Sequence, residues 1–227
     1  MGKTRYHHGE LRNALLDAAE ELVREQGSVG WSLREASARV GVSPSAAYHH
    51  FASRDALVGA LSARVRARLG ERMSDAAARA HDAGADAHRG LVAAGRAYVR
   101  WAMEDLAVAR LTLGFGGLDA AETGVPHPHD VIDAELDRLV AIGALDAARR
   151  EGADFVVWAA VHGLAGLLAD GLLILDGPEA ADLQTERLMR AVLTGLTQET
   201  APPGGWPVAH SAHTRRRAAR HGDGPPG

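Results

Sequence analysis

Three side chains in the stretch PSAAYHH, residues 44–50, suit the reading of nucleic-acid bases. Base edges in a DNA groove are read by side chains that are short enough to approach closely or polar enough to bond. Ser45 and His49 meet the second requirement. Ala46 meets the first, offering a methyl to, for example, a thymine methyl. Arg34 upstream and Arg54 downstream supply cations for phosphate, and Ser32, Leu33, Ser43 and Pro44 open the two segments that carry the stretch. The free backbone N–H groups at the start of the helix that Arg54 opens also favour phosphate. Other chemistry is poorly supplied. There is no G-x-S-x-G turn for a nucleophile and no cysteine for a disulfide or thiolate site. Twelve histidines invite a metal reading, but His127 with His129 and His210 with His213 form neither an HExxH nor a His-rich helix face with acidic partners. We therefore expect no enzyme, no cofactor and no metal, and keep a metal-binding helical protein as a distant alternative.

These residues need elements to hold them. Ser32 can cap a helix over 33–40, with Glu35 three residues later completing a capping box. Leu33, Ala36 and Val40 give that helix one apolar face, and Gly41 can turn left-handed where it ends. Ser43 can cap a second helix over 44–50, with Pro44 at its first position, where a missing N–H costs nothing. Upstream, Leu11, Leu15, Ala18, Ala19 and Leu22 form the stripe of a helix over 10–26. Downstream, Ser53 can cap a helix carrying Leu57, Leu61 and Val65. Two short helices joined by a glycine turn form the geometry that lays one helix in the major groove.

LLDAAEELVREQG, WSLREASARVGVSPSAAYHHF and ASRDALVGAL, in this order and spacing over about residues 9–62, resemble the N-terminal module of the TetR-type transcriptional regulators. The resemblance implies that Arg34 reads a base or phosphate and that Tyr48 meets a phosphate or sugar through its hydroxyl. It carries His50 over as a backbone contact, for which a structural hydrogen bond is the other reading. Phe51 reads as core. Lys3, Arg5, His7 and His8 form either an arm that touches DNA or a frayed terminus.

Composition agrees with an all-α chain, since strand-formers are scarce while Ala, Leu, Arg and Glu are common. Charge is uneven. Residues 1–72 hold 11 Lys and Arg against 8 Asp and Glu, residues 73–200 hold 10 against 20, and residues 201–227 hold 4 against 1. The positive head suits phosphates, whereas the acidic middle is repelled by DNA and needs another task. We expect three parts: residues 1–62, an arm and helix-turn-helix DNA-binding domain; residues 63–200, a larger helical regulatory and dimerisation domain; and residues 201–227, a Pro- and Gly-rich disordered tail. The N-terminus shows no apolar signal segment, so the expected location is the cytoplasm.

Within the middle part, Tyr98, Trp101, Met103 and Phe115 are large groups among many alanines, and Trp158 and His162 are i, i+4 neighbours. The TetR resemblance implies a small-molecule pocket there, for an apolar or aromatic effector that these six residues would line. The same groups can instead fill a core left thin by alanine, and His162 reads slightly better as a structural histidine hydrogen-bonded inside that core. Trp158, His162 and Gly163 spell W-x-x-x-H-G, which resembles the WHG type of TetR C-terminal domain. The run over 154–175 is long and apolar enough for a bilayer, but His162 and Asp170 would be costly in lipid. It reads better as a helix buried against a second subunit, together with a last helix over 181–199. The resulting expectation is a homodimeric repressor that binds double-stranded DNA at a palindromic operator, is released by a small molecule and has no membrane partner. A dimeric DNA-binding regulator without any ligand is the alternative.

Overall fold

The computed structural model describes residues 8–84, 86–114 and 127–198. The arm, Phe115, most of the glycine- and proline-rich stretch 114–130 and the tail after 200 lie outside the described residues. Among the described residues there are nine α-helices, one 3₁₀ turn and no strands. The helices are α1 (His8–Gln26), α2 (Leu33–Val40), α3 (Pro44–His50), α4 (Arg54–Asp82), α5 (Arg89–Glu104), α6 (Leu106–Gly114), α7 (Pro128–Ala141), α8 (Ala153–Ala169) and α9 (Gly177–Gln198). They form a helix-turn-helix head and a larger helical body.

Of the described residues, the head comprises 8–65 together with 105–114. Its core takes the apolar stripe of α1 (Leu15, Leu16, Ala19, Leu22 and Val23), with Trp31, Leu33, Ala36, Ala47, Phe51, Leu57 and Leu61, all nearly or fully buried. The sequence had given no sign that α6 belongs here. It packs on α1 and buries Val108, Ala109, Leu111 and Thr112.

Between α2 and α3 the local chemistry follows the residues. Ser32 Oγ accepts from the Glu35 N–H at 3.2 Å, and Glu35 Oε2 accepts from the Ser32 N–H at 3.2 Å. Gly41 stands at φ 76°, and the next N–H, of Val42, donates to Ser37 O at 3.0 Å to close the helix. Added at Gly41, a Cβ would meet nothing within 4 Å. The cost of Gly41→Ala is therefore conformational alone, about 1 kcal/mol, because only the left-handed backbone opposes it. A urea melt should show that loss with an unchanged m-value.

Of the described residues, the body comprises 66–84, 86–104 and 127–198. Its centre is α5, which packs against α7, α8 and α9 and buries Leu91, Ala94, Tyr98, Val99 and Ala102. Small residues bring α5 and α9 close: a Cβ on Gly95 would lie 3.3 Å from Met189. Arg100 donates to Asp182 at 2.7 Å and Arg96 pairs with Glu186 along the same contact. The basic run of α4 (Arg64, Arg66, Arg68 and Arg72) is partly stitched down. Arg64 reaches Asp17 at 2.6 Å and Glu20 at 2.9 Å within the head, and Arg72 reaches Glu104 at 2.6 Å within the body.

Helix α8 is shorter than the apolar run 154–175 suggested. It ends at Ala169, and Gly171 at φ 71° turns the chain. Leu172 and Ile174 then stand 75% and 83% exposed. No described helix is long and apolar enough to cross a membrane.

Candidate functional site

In the head, Ser43 caps α3 by accepting from the Ala46 N–H at 3.2 Å, with Pro44 in the first turn. The helix is anchored by Ala47, fully buried, and by Phe51 at its C-terminal cap, over which Arg12 lies with its guanidinium carbon 5.3 Å from the ring centroid. Ala47 fixes the inward face. Ser45, Tyr48 and His49 therefore share the outward one, at i, i+3 and i+4. Tyr48 is 49% exposed. Arg34 is exposed in the first turn of α2, and no ion pair holds it among the described residues. The two helix starts and this face make one polar surface with a free cation and free hydroxyls.

Two residues expected at that surface have other work. The Leu33 side chain is 2% exposed, so it is core; only its backbone is at the helix start. Arg54 is half-buried, donating to Trp31 O at 3.0 Å and to Ser28 O, with its guanidinium carbon 4.3 Å from the Trp31 ring centroid. It fastens the loop before α2 to the start of α4. Nothing local in the sequence signalled this, because the partners lie more than twenty residues upstream. Ala46 and His50 are intermediate in exposure, and His50 is engaged in a further contact. Arg39 is taken up by Glu25, with contacts at 2.6 and 2.7 Å, and by Glu21 at 3.5 Å.

In the body, four of the six residues expected to bind a ligand come together. Tyr98 of α5 is 2% exposed and its hydroxyl lies 2.9 Å from Nδ1 of His162 on α8. Trp158 stacks on His162 with ring centroids 5.2 Å apart, and meets Tyr98 edge-on at 5.6 Å. Trp101 meets Tyr98 edge-on at 5.8 Å. Met103 is on the same helix, half-buried, and makes no ring contact among the described residues. Burial pushes the Tyr98 phenol well above its ordinary range and pulls the His162 imidazole below 6.5. Both are therefore neutral near pH 7. The hydroxyl can donate to a bare Nδ1, which leaves Nε2–H as a donor inside an aromatic wall.

Below this cluster lies an arrangement the sequence did not reveal. His129 on α7 is 1% exposed, with Nδ1 3.2 Å from Asp133 and Nε2 3.3 Å from Asp154 on α8. Its ring is 5.7 Å from Trp158. Burial alone would lower the His129 pKa, but hydrogen bonding and charge from Asp133 and Asp154 outweigh it and raise the value to about 9. One His and two carboxylates are a donor set a metal could use. Here the second oxygens of both carboxylates face Arg150, at 2.8 Å for Asp133 and 3.7 Å for Asp154, so His129 and Arg150 already balance the two partly buried acids. Asp133 lies only four residues beyond His129, but Asp154 comes from the next helix. His127 caps α7, its Nδ1 accepting from the His129 N–H at 3.2 Å.

Comparison with known proteins bears on both units. Residues 15–61 match the family model described as "Bacterial regulatory proteins, tetR family". The HTH-type transcriptional regulator BetI of Rhizobium meliloti (strain 1021) is 39% identical over 67 residues. That match takes in 30% of this chain and spans about a third, 32%, of the relative's length. Among solved structures, a protein of unknown function from Rhodococcus sp. RHA1 is 28% identical with a TM-score of 0.62, over 86% of this chain and 100% of its own. A TetR-family transcriptional regulator from Pectobacterium atrosepticum is 22% identical with a TM-score of 0.64, over 87% and 99% respectively. That likeness shows the fold.

Proposed function

We propose, from the premise that the head is a TetR-family helix-turn-helix domain, that the chain is a homodimeric repressor of transcription. Its two reading helices enter successive major grooves of a palindromic operator, and a small molecule held in the body releases it. The observation that carries the proposal is the outward face of α3. Among the described residues, Ser45, Tyr48 and His49 stand free over a fully buried Ala47, beside an Arg34 in no ion pair. Arg34, Tyr48 and the helix N-termini position the protein on phosphates, and Ser45, Ala46 and His49 face base edges. Ser32, Ser43 and His50 hold that geometry, and Arg54 does so from behind. DNA release follows from linkage: an effector that binds better to the form whose heads are wrongly spaced weakens DNA binding by the same factor. The Tyr98–His162 pair walled by Trp101 and Trp158 supports an aromatic or apolar effector carrying one hydrogen-bond acceptor. The W-x-x-x-H-G pattern, whose Trp and His stack here, supports the WHG type of body.

Dimerisation is supported by the uncovered side of α8. Val157, Val161 and Ala165 face the core, while Phe155, Val156, Ala159, Gly163 and Leu167 are exposed along the opposite side. An apolar helix face of this length wants a cover, and small residues at its middle let a second helix approach closely. A Cβ on Gly163 would meet nothing within 4 Å in the single chain. Gly163→Arg should therefore fold, yet sediment as a monomer and lose operator binding; a variant that stays dimeric would remove α8 from the interface.

The whole proposal is tested by footprinting the protein on the DNA flanking its own gene, followed by mobility shifts with and without candidate aromatic ligands. A protected palindrome released by one ligand is the expected result. An absence of any sequence-specific protection would overturn the proposal.

A further inference from the structure

We infer that the body carries a second binding site, for a small organic ammonium ion, in a cleft lined by α4 and α7. This goes beyond the DNA-binding proposal and shares no residue with the aromatic cluster. The cleft is a cavity of about 220 Å³, walled by Ser74, Ala77, Ala78 and His81 of α4 and by Asp130, Val131, Ala134 and Glu135 of α7. Drug-sized ligands occupy roughly 300–1,000 Å³, so the space suits a molecule of only a few heavy atoms.

Its chemistry is set by Glu135, a carboxylate only 7% exposed at the wall of the cavity. His81 Nε2 lies 3.0 Å from Glu135 Oε2. The pair meets above Gly90 of α5, where a Cβ would come within 2.1 Å of the imidazole and 2.2 Å of the carboxylate. The absence of a side chain at Gly90 thus lets His81 and Glu135 close on each other beside the cavity. A carboxylate has about four lone-pair directions and the imidazole takes one, so acceptor capacity remains for an N–H donor. Asp130 adds a second negative charge, although its Oδ2 also accepts from the His127 N–H at 3.0 Å. Ser74 adds a hydroxyl, and among the described residues no Lys or Arg lines the cleft. An anion would be repelled there. A primary ammonium group can spread its donors over the carboxylates and the serine while its alkyl stem rests on Ala77, Ala78 and Val131.

The test is isothermal titration calorimetry of the full-length protein in EDTA with ethylammonium, tetramethylammonium and ethanol. Saturable binding of ethylammonium is expected, with tetramethylammonium, which lacks N–H donors, weaker and ethanol silent. Glu135→Gln keeps the side-chain volume and an acceptor for His81, and should weaken ethylammonium at least ~10-fold. Ala78→Leu fills the cavity from an exposed position while keeping both His81 and Glu135, and should weaken it comparably. Thermal melts of both variants separate lost binding from lost folding. The inference is overturned if ethylammonium gives no saturable heat. It is equally overturned if both folded variants bind as tightly as the parent, or if the cleft takes Zn²⁺ in the absence of EDTA but no amine.

Discussion

Tyr48→Ala and Arg34→Ala should each cut operator affinity by about 30-fold or more while leaving the protein dimeric and folded. Losing one well-placed contact to DNA costs about 1–3 kcal/mol, and a two-fold dimer loses two, so the expected cost is about 2–6 kcal/mol. Tyr48 is half exposed and Arg34 is held by no ion pair among the described residues, so neither replacement removes folded-state packing of consequence. The two variants should differ in salt dependence. Arg34→Ala removes two phosphate-facing cations per dimer and should flatten the slope of log K against log salt by about 2. Tyr48→Ala removes no charge and should leave the slope unchanged. Tyr48→Phe isolates the hydroxyl. Mobility shifts over a range of salt concentrations measure all three. Unchanged affinity in both alanine variants would mean that α3 does not face the duplex.

The second large effect is on stability. His129→Gln should cost about 3 kcal/mol near neutral pH. The raised pKa reports the same stabilisation: a shift from 6.5 to about 9 corresponds to roughly 3 kcal/mol at about 1.4 kcal/mol per unit. Breaking a buried ion pair is of similar size, about 3–5 kcal/mol. The sign follows from linkage. The folded state holds the proton more tightly than the unfolded state, so the stabilisation is complete below pH 6.5 and is lost as pH rises through about 9. His162 works the other way. Burial depresses its folded pKa, so its contribution is present above 6.5 and is lost as pH falls through the lower folded value. Urea melts at about pH 6, 7.5 and 10 should show the parent losing stability on the alkaline side and His129→Gln losing much less. Parallel profiles would dismiss His129 as the charged weld between α7 and α8.

The head was legible because its signals are local. Ser32, Glu35, Gly41, Ser43 and Pro44 each act within four residues, and α2 and α3 run over the residues their caps dictate. The Trp158–His162 stack was legible for the same reason, being one helical turn. What escaped depends on partners far along the chain. Leu33 is core because a whole helical layer covers it, and Arg54 turns inward because carbonyls at Ser28 and Trp31 await it. The His129 network needed Asp154 and Arg150, which only the packing of α7 on α8 brings near. The apolar run of α8 overran its helix because hydropathy continues through Leu172 and Ile174, whereas Gly171 ends the backbone pattern.

The return of α6 to the head has a practical corollary for grafting experiments. Asp105 receives the Arg24 side chain at 2.6 Å, and Val108, Ala109 and Leu111 are sealed within this unit. A peptide truncated at Val65 would leave the flank of α1 wet and greasy, prone to clumping. A chimera that transplants this reading module onto another sensor must therefore carry the distant segment 105–114 with it.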